Sequence, residues 1–208
     1  MNTSFNSEQS LALIHEMIQQ ARNNFGKAPS KTMIFWGYLV AFTAIANVIL
    51  GRIDGMENTC YLVWLLMIPG ALVSWAIGRR EKRSAAVRTH IDTVIGAIWA
   101  GYGISVPVFL CFIYILAMVL QDGRIMILIT PTFLTMMGTA HYATASACKY
   151  RPWYAVAVFF WLGALACMIP FCGKISSSSG LIILAVCMLL GSVLPGHILN
   201  YKAKKGHV

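Results

Sequence analysis

The sequence predicts an all-α integral membrane protein: a six-helix transmembrane bundle, arranged as three pseudo-repeated helical hairpins behind an N-terminal amphipathic helix. Composition is the first reason. Hydrophobic residues fill 58% of the 208 positions and charged residues only 11%, whereas soluble domains carry about 25% charged residues. The second is length: six apolar stretches, 32–50, 60–78, 93–120, 125–147, 153–171 and 181–199, match the roughly 20 residues that cross a hydrocarbon core of about 30 Å. The third is where the cations fall. Thirteen of the sixteen Lys and Arg residues lie in alternate gaps between these stretches.

The chain opens with "NSEQSLALIHEMIQQARNNFGKAPSK". Asn6 and Gln9 resemble a capping box, and Leu11, Ile14, Ile18, Ala21 and Phe25 form one helical stripe. Residues 1–31 are therefore expected to be a cytoplasmic amphipathic helix and linker, ended by Gly26 and Pro29. It would lie along the membrane or bundle surface, or dock a partner. No apolar run of signal-peptide length occurs in this segment, so a cleaved leader is not expected.

Residues 32–199 form the predicted membrane domain, whose spans must be helices because lipid offers no partner for unpaired backbone groups. Pro69, Pro107, Pro131 and Pro195 are then kinks within spans. Between the second and third spans stands "GRREKR" (78–83). Burying such cations at mid-membrane would cost about 2.5–3.5 kcal/mol each, so Arg79, Arg80, Lys82, Arg83 and Arg88 are assigned to a loop that fixes topology and touches anionic lipid. With Lys149, Arg151 and the basic tail 200–208 on the same side, only Arg52, Arg124 and Lys174 remain opposite. The positive-inside rule puts both termini in the cytoplasm. The net charge of +9 is thus explained by topology, and no nucleic-acid motif accompanies it.

The odd-numbered spans carry "FWGY" (35–38), "WAGY" (99–102) and "WLGA" (161–164); the even-numbered spans carry Pro69, Pro131 and Pro195. Each Trp precedes its Pro by 32–34 residues, which predicts three hairpins of similar build. Small residues in "GAIWAGYG" (96–103) and "GTAHYATASA" (138–147) make the third and fourth spans the expected tightly packed centre.

Chemistry is sparse. All seven acids fall in termini, loops or span ends, which disfavours proton- or sodium-coupled transport, since such mechanisms keep ionisable groups within the membrane. The six cysteines form no C-x-x-C pair, so neither a zinc ribbon nor a disulfide scaffold is expected; a Cys60–Cys172 pair at the outer span ends stays open. The serines of "ISSSSG" (175–180) form an expected external loop without a base at usable spacing. His141 and His197, with Tyr142 and Asn200 nearby, are the candidate ligand-binding residues, facing each other from the fourth and sixth spans. No catalytic residue, cofactor or metal is expected.

The order "SLALIHEMIQQARNNFGKAPSK", "FWGYLV" (35–40), "IPGALVSWAIGRREKR" (68–83) and "LPGHIL" (194–199) resembles a family of small uncharacterised bacterial inner-membrane proteins with six hydrophobic spans. The resemblance implies an inner-membrane location and no site. The functional expectation is a non-enzymatic, partner-binding, regulatory or sensing membrane module. Its partners would be lipid and another membrane or cytoplasmic protein, with a homo-oligomer as a further arrangement. The alternative is a small permease or channel for a neutral or hydrophobic solute.

Overall fold

The computed structural model describes residues 31–56, 59–84, 90–169 and 176–204. The N-terminal helix expected before Lys31, together with Arg88, Cys172 and Lys174, lies outside them. Seven helical segments follow in order: α1 (Lys31–Leu50), α2 (Met67–Ser84), α3 (His90–Leu120), α4 (Ile129–Cys148), α5 (Pro152–Ala166), α6 (Ser177–Met188) and α7 (Leu194–Lys204). Five helices, running Lys31–Leu50, Cys60–Arg80, His90–Leu120, Gly123–Cys148 and Ser177–Tyr201, are long and apolar enough to cross a membrane. The all-α membrane bundle expected from composition is the fold these segments build.

The fifth predicted span differs. Its α-helix, α5, has only 15 residues, about 22 Å at 1.5 Å per residue. It nonetheless runs antiparallel along α4. Trp153 at its start packs with Ala145, and a Cβ on Gly138 would stand 3.0 Å from the Ala157 carbonyl. Further along, Gly163 meets Leu134, and α6 then begins with Gly180 against Thr130.

Three prolines explain how the remaining helices are assembled. Pro69 and Pro131 stand in the first turns of α2 and α4, just after the 3-10 segments Cys60–Leu66 and Gly123–Leu128. Pro195 stands in the first turn of α7, just after the π-helical segment Leu189–Val193. Proline has no N–H to give the carbonyl four residues back, and its ring crowds that carbonyl. Before Pro69, Pro131 and Pro195 a turn of different pitch ends two or three residues ahead of the proline, whereas Pro107 is accommodated within the continuous α-helix α3. In the π segment the Leu194 N–H reaches the Leu189 carbonyl, five residues away.

The core lies where α1, α4, α5, α6 and the π segment converge. Val40, Ala41 and Ala44 of α1 join Leu134 and Met137 of α4, Phe160 of α5, and Leu184 and Met188 of α6. Small residues permit the approach, as bundles without a hydrophobic drive require. A Cβ on Gly37 would fall 2.6 Å from Val193, and one on Gly191 would fall 2.8 Å from Phe160.

Three expectations are corrected here. The third span is not part of the packed centre: Gly96, Gly101 and Gly103 have nothing within 4 Å of where a Cβ would stand, and only 11% of the apolar window of α3 is buried. α4 fills that role with α5. The loop expected at 79–92 is also mostly helix, because α2 continues to Ser84. Arg, Glu and Lys are strong helix formers, and cations in a last turn oppose the negative end of the helix dipole. Similarly, most of the expected loop 175–180 is helical: Ser176 caps α6, accepting from the Ser179 N–H at 3.2 Å.

Candidate functional site

The four candidate ligand residues do not form one site. His141 is fully buried. Its ring stacks on Phe160, with centroids 5.2 Å apart and planes 5° from parallel, and meets Trp99 edge-on at 5.2 Å and Trp153 at 6.4 Å. α3, α4 and α5 therefore each contribute an aromatic group here. Tyr142, one residue on and about 100° around the helix, is exposed and packs against Tyr154 and Trp161.

His197 belongs elsewhere. It is exposed on α7, with its Nε2 3.3 Å from the Tyr38 hydroxyl of α1. Leu199, two residues later and so about 200° around the helix, is the residue that packs with Ala145 and Trp153. Helical rotation thus turns His197 away from α4, and Asn200 is half-buried beyond Leu199. The expected facing pair of histidines is corrected: similar depth does not set which side of a helix a residue occupies. Among the described residues, no group of three His, Cys, Asp or Glu side chains could hold a metal ion.

Asn47 and several threonines within the spans satisfy themselves locally. The Asn47 amide donates to the Cys60 carbonyl at 2.9 Å, Thr43 to the Leu39 and Val40 carbonyls, and Thr144 to the Ala140 carbonyl. Thr135, on an exposed face, donates to the Pro131 carbonyl at 2.8 Å. Asn47, Thr135, His141 and His197 thus have four separate surroundings. His141 is the exception in its bonding, since neither ring nitrogen has a hydrogen-bond partner.

Among the cations predicted to set topology, Arg79 lies over the Trp75 ring, 4.3 Å from its centroid, and Arg80 is exposed. Lys82 and Arg83 stand in the last turns of α2. On the α3–α4 turn, Asp122 caps the 3-10 segment and pairs with Arg124 at 3.0 Å. The hydrogen bonds from Arg124 hold the Asp122 carboxyl below its ordinary value.

No protein-family model, curated protein or solved structure matches this chain. Its site residues must be argued from its own geometry. Sequence reasoning missed the partners of His141. The short Lys149–Arg151 turn offered a signal, because in a tight helical hairpin residues equidistant from the turn face each other, as His141 and Phe160 do.

Proposed function

We propose that the chain is a non-enzymatic, multi-pass protein of the bacterial inner membrane that works by engaging a transmembrane helix of another protein. One observation carries the reading: the apolar surface that α2 and α3 each leave uncovered. Only 11% of each apolar window is buried there, against 44% in Lys31–Leu50 and in Ser177–Tyr201. Large apolar side chains facing lipid need no explanation. Small ones do, because lipid gains little from them while a second helix can approach closely. Exposed Gly96, Ala100 and Gly103, three and four residues apart with Ala97 and Gly101 beside them, make such a face on α3.

Six crossings complete this reading. Trp153 packs near Ala145 at one end of α4 and Gly180 stands against Thr130 near the other, which supports a fifth crossing between them. An even number of crossings agrees with the thirteen-to-three bias of Lys and Arg and with two cytoplasmic termini. The basic end of α2 and the N-terminal segment would then share the partner's cytoplasmic side.

A photo-crosslinking residue placed at Ala100 in the intact membrane tests the proposal. The expected product is one heterologous membrane protein at a fixed ratio, lost in Gly101→Leu while insertion persists. A product of twice the chain's mass, or lipid adducts alone, would overturn it and move the reading to a self-contained bundle. Replacing Ile14 and Ile18 with Ser separately asks whether the N-terminal segment contributes; unchanged recovery of the partner would remove that contribution.

A further inference from the structure

Five side-chain atoms buried among the described residues lack a hydrogen-bond partner: Tyr102 Oη, His141 Nδ1 and Nε2, Trp153 Nε1 and Ser192 Oγ. Four of the five lie along one aromatic row. From the turn after α4 it runs Tyr150, Trp153, His141, Trp99, Tyr102, Phe133, with ring centroids 6.2, 6.4, 5.2, 5.7 and 5.9 Å apart in succession. On α4 these contacts reach from Tyr150, just past the C-terminal end, to Phe133 in the second turn. Polar atoms are rarely left unmatched in a core, and lipid-embedded cores have no bulk water to repair them.

The chemistry of the row limits what could match it. An uncharged imidazole has one N–H donor and one bare nitrogen acceptor, a phenol can do both, and an indole only donates. A complementary molecule must therefore donate and accept, which a hydroxyl does and a carbonyl or ether does not. No Asp, Glu, Lys or Arg is among the buried described residues, so a charged ligand would find no counter-charge. The stack on Phe160 covers a ring face of His141; hydrogen bonds to imidazole nitrogens form in the ring plane, which this stack leaves unblocked.

We propose that the row lines a buried hydrogen-bonding site for an uncharged hydroxylic molecule, water or a small alcohol, held by His141, Tyr102 and Trp153. The site is independent of the α3 flank and of any partner there. At the Lys149–Pro152 turn the row ends on Tyr150, which is only partly buried.

The test uses the full chain in lipid nanodiscs with its histidine rings labelled with nitrogen-15, read by solid-state NMR. Polarisation is transferred from water protons in one arm, and from glycerol C–H protons in deuterated water in the other. Transfer from water to the His141 nitrogens identifies water as the occupant; transfer from glycerol identifies a small alcohol. Exposed His197 is the positive control. Tyr102→Phe, which keeps the ring and removes the hydroxyl, should cut the His141 signal at least fivefold with helicity unchanged. It also identifies the His141 resonance should His141→Phe fail to fold. Silence of His141 in both arms while His197 responds, or full transfer in Tyr102→Phe, would overturn the site.

Discussion

Gly138 and Gly101 show how one residue type does opposite work on neighbouring helices. A Cβ on Gly138 would lie 2.6 Å from the Trp161 ring, whereas one on Gly101 meets nothing within 4 Å. Gly138→Ala should destabilise the bundle by about 1–3 kcal/mol through overpacking. Gly101→Ala should leave the isolated protein unchanged or up to about 1 kcal/mol more stable, since Ala is the better helix former. Thermal unfolding in one detergent compares them directly; equal losses would contradict the packing described. The Asp122–Arg124 pair makes a second residue-scale prediction. Because Arg124 lowers the Asp122 pKa, the pair's contribution is present above the ordinary carboxylate range and lost as pH falls through the lowered value. Arg124→Ala should return Asp122 to that ordinary range, read by NMR titration of its carboxyl carbon; an unmoved midpoint would remove Arg124 as the cause. Residue types were legible in the sequence, but not their neighbours: both glycines sit in small-residue runs, and only one has a helix against it.

At the scale of elements, the recurring prolines were legible and their consequence became concrete. Pro69, Pro131 and Pro195 each begin an α segment after a turn of different pitch. The tryptophans do not repeat in the same way. Trp36 donates to Ser74 within its own hairpin at 3.1 Å, Trp99 meets His141, and Trp161 reaches back to the Thr135 carbonyl of the preceding hairpin at 3.3 Å. A proline acts through its own backbone, so spacing predicts its effect; a tryptophan acts through whichever helix arrives beside it. Pro195→Ala restores the missing N–H and removes the reason for the π turn. The helix beyond should rotate by about one residue, roughly 100°, carrying position 197 away from position 38. A bifunctional thiol crosslinker long enough to replace the two side chains should join Tyr38→Cys to His197→Cys in the parent chain and at least tenfold less in the Pro195→Ala background. Equal yields would show that the π turn has another cause.

For the whole molecule, the arrangement is a packed side and an exposed side. α1, α4, α5, α6 and α7 share the two buried clusters with their small and apolar stripes. α2 and α3 leave most of their apolar surface uncovered. Under the proposed six crossings, a reporter active only outside the cytoplasm should be silent when fused after Val208. Activity there would overturn the orientation with both termini in the cytoplasm. The sequence by itself determined the solvent and the secondary structure, because apolar length and unsatisfied backbone leave a lipid-embedded chain little choice but helix. It also placed the prolines, but pitch changes precede Pro69, Pro131 and Pro195 and not Pro107, which lies within the unbroken α3. Which helices became core, which side of α7 turned His197 outward, and the aromatic enclosure of His141 were decided only by tertiary structure. α5 and most of α6 are apolar on all sides, so hydrophobic periodicity does not mark their buried faces; small-residue contacts and the rotation of each helix about its axis do.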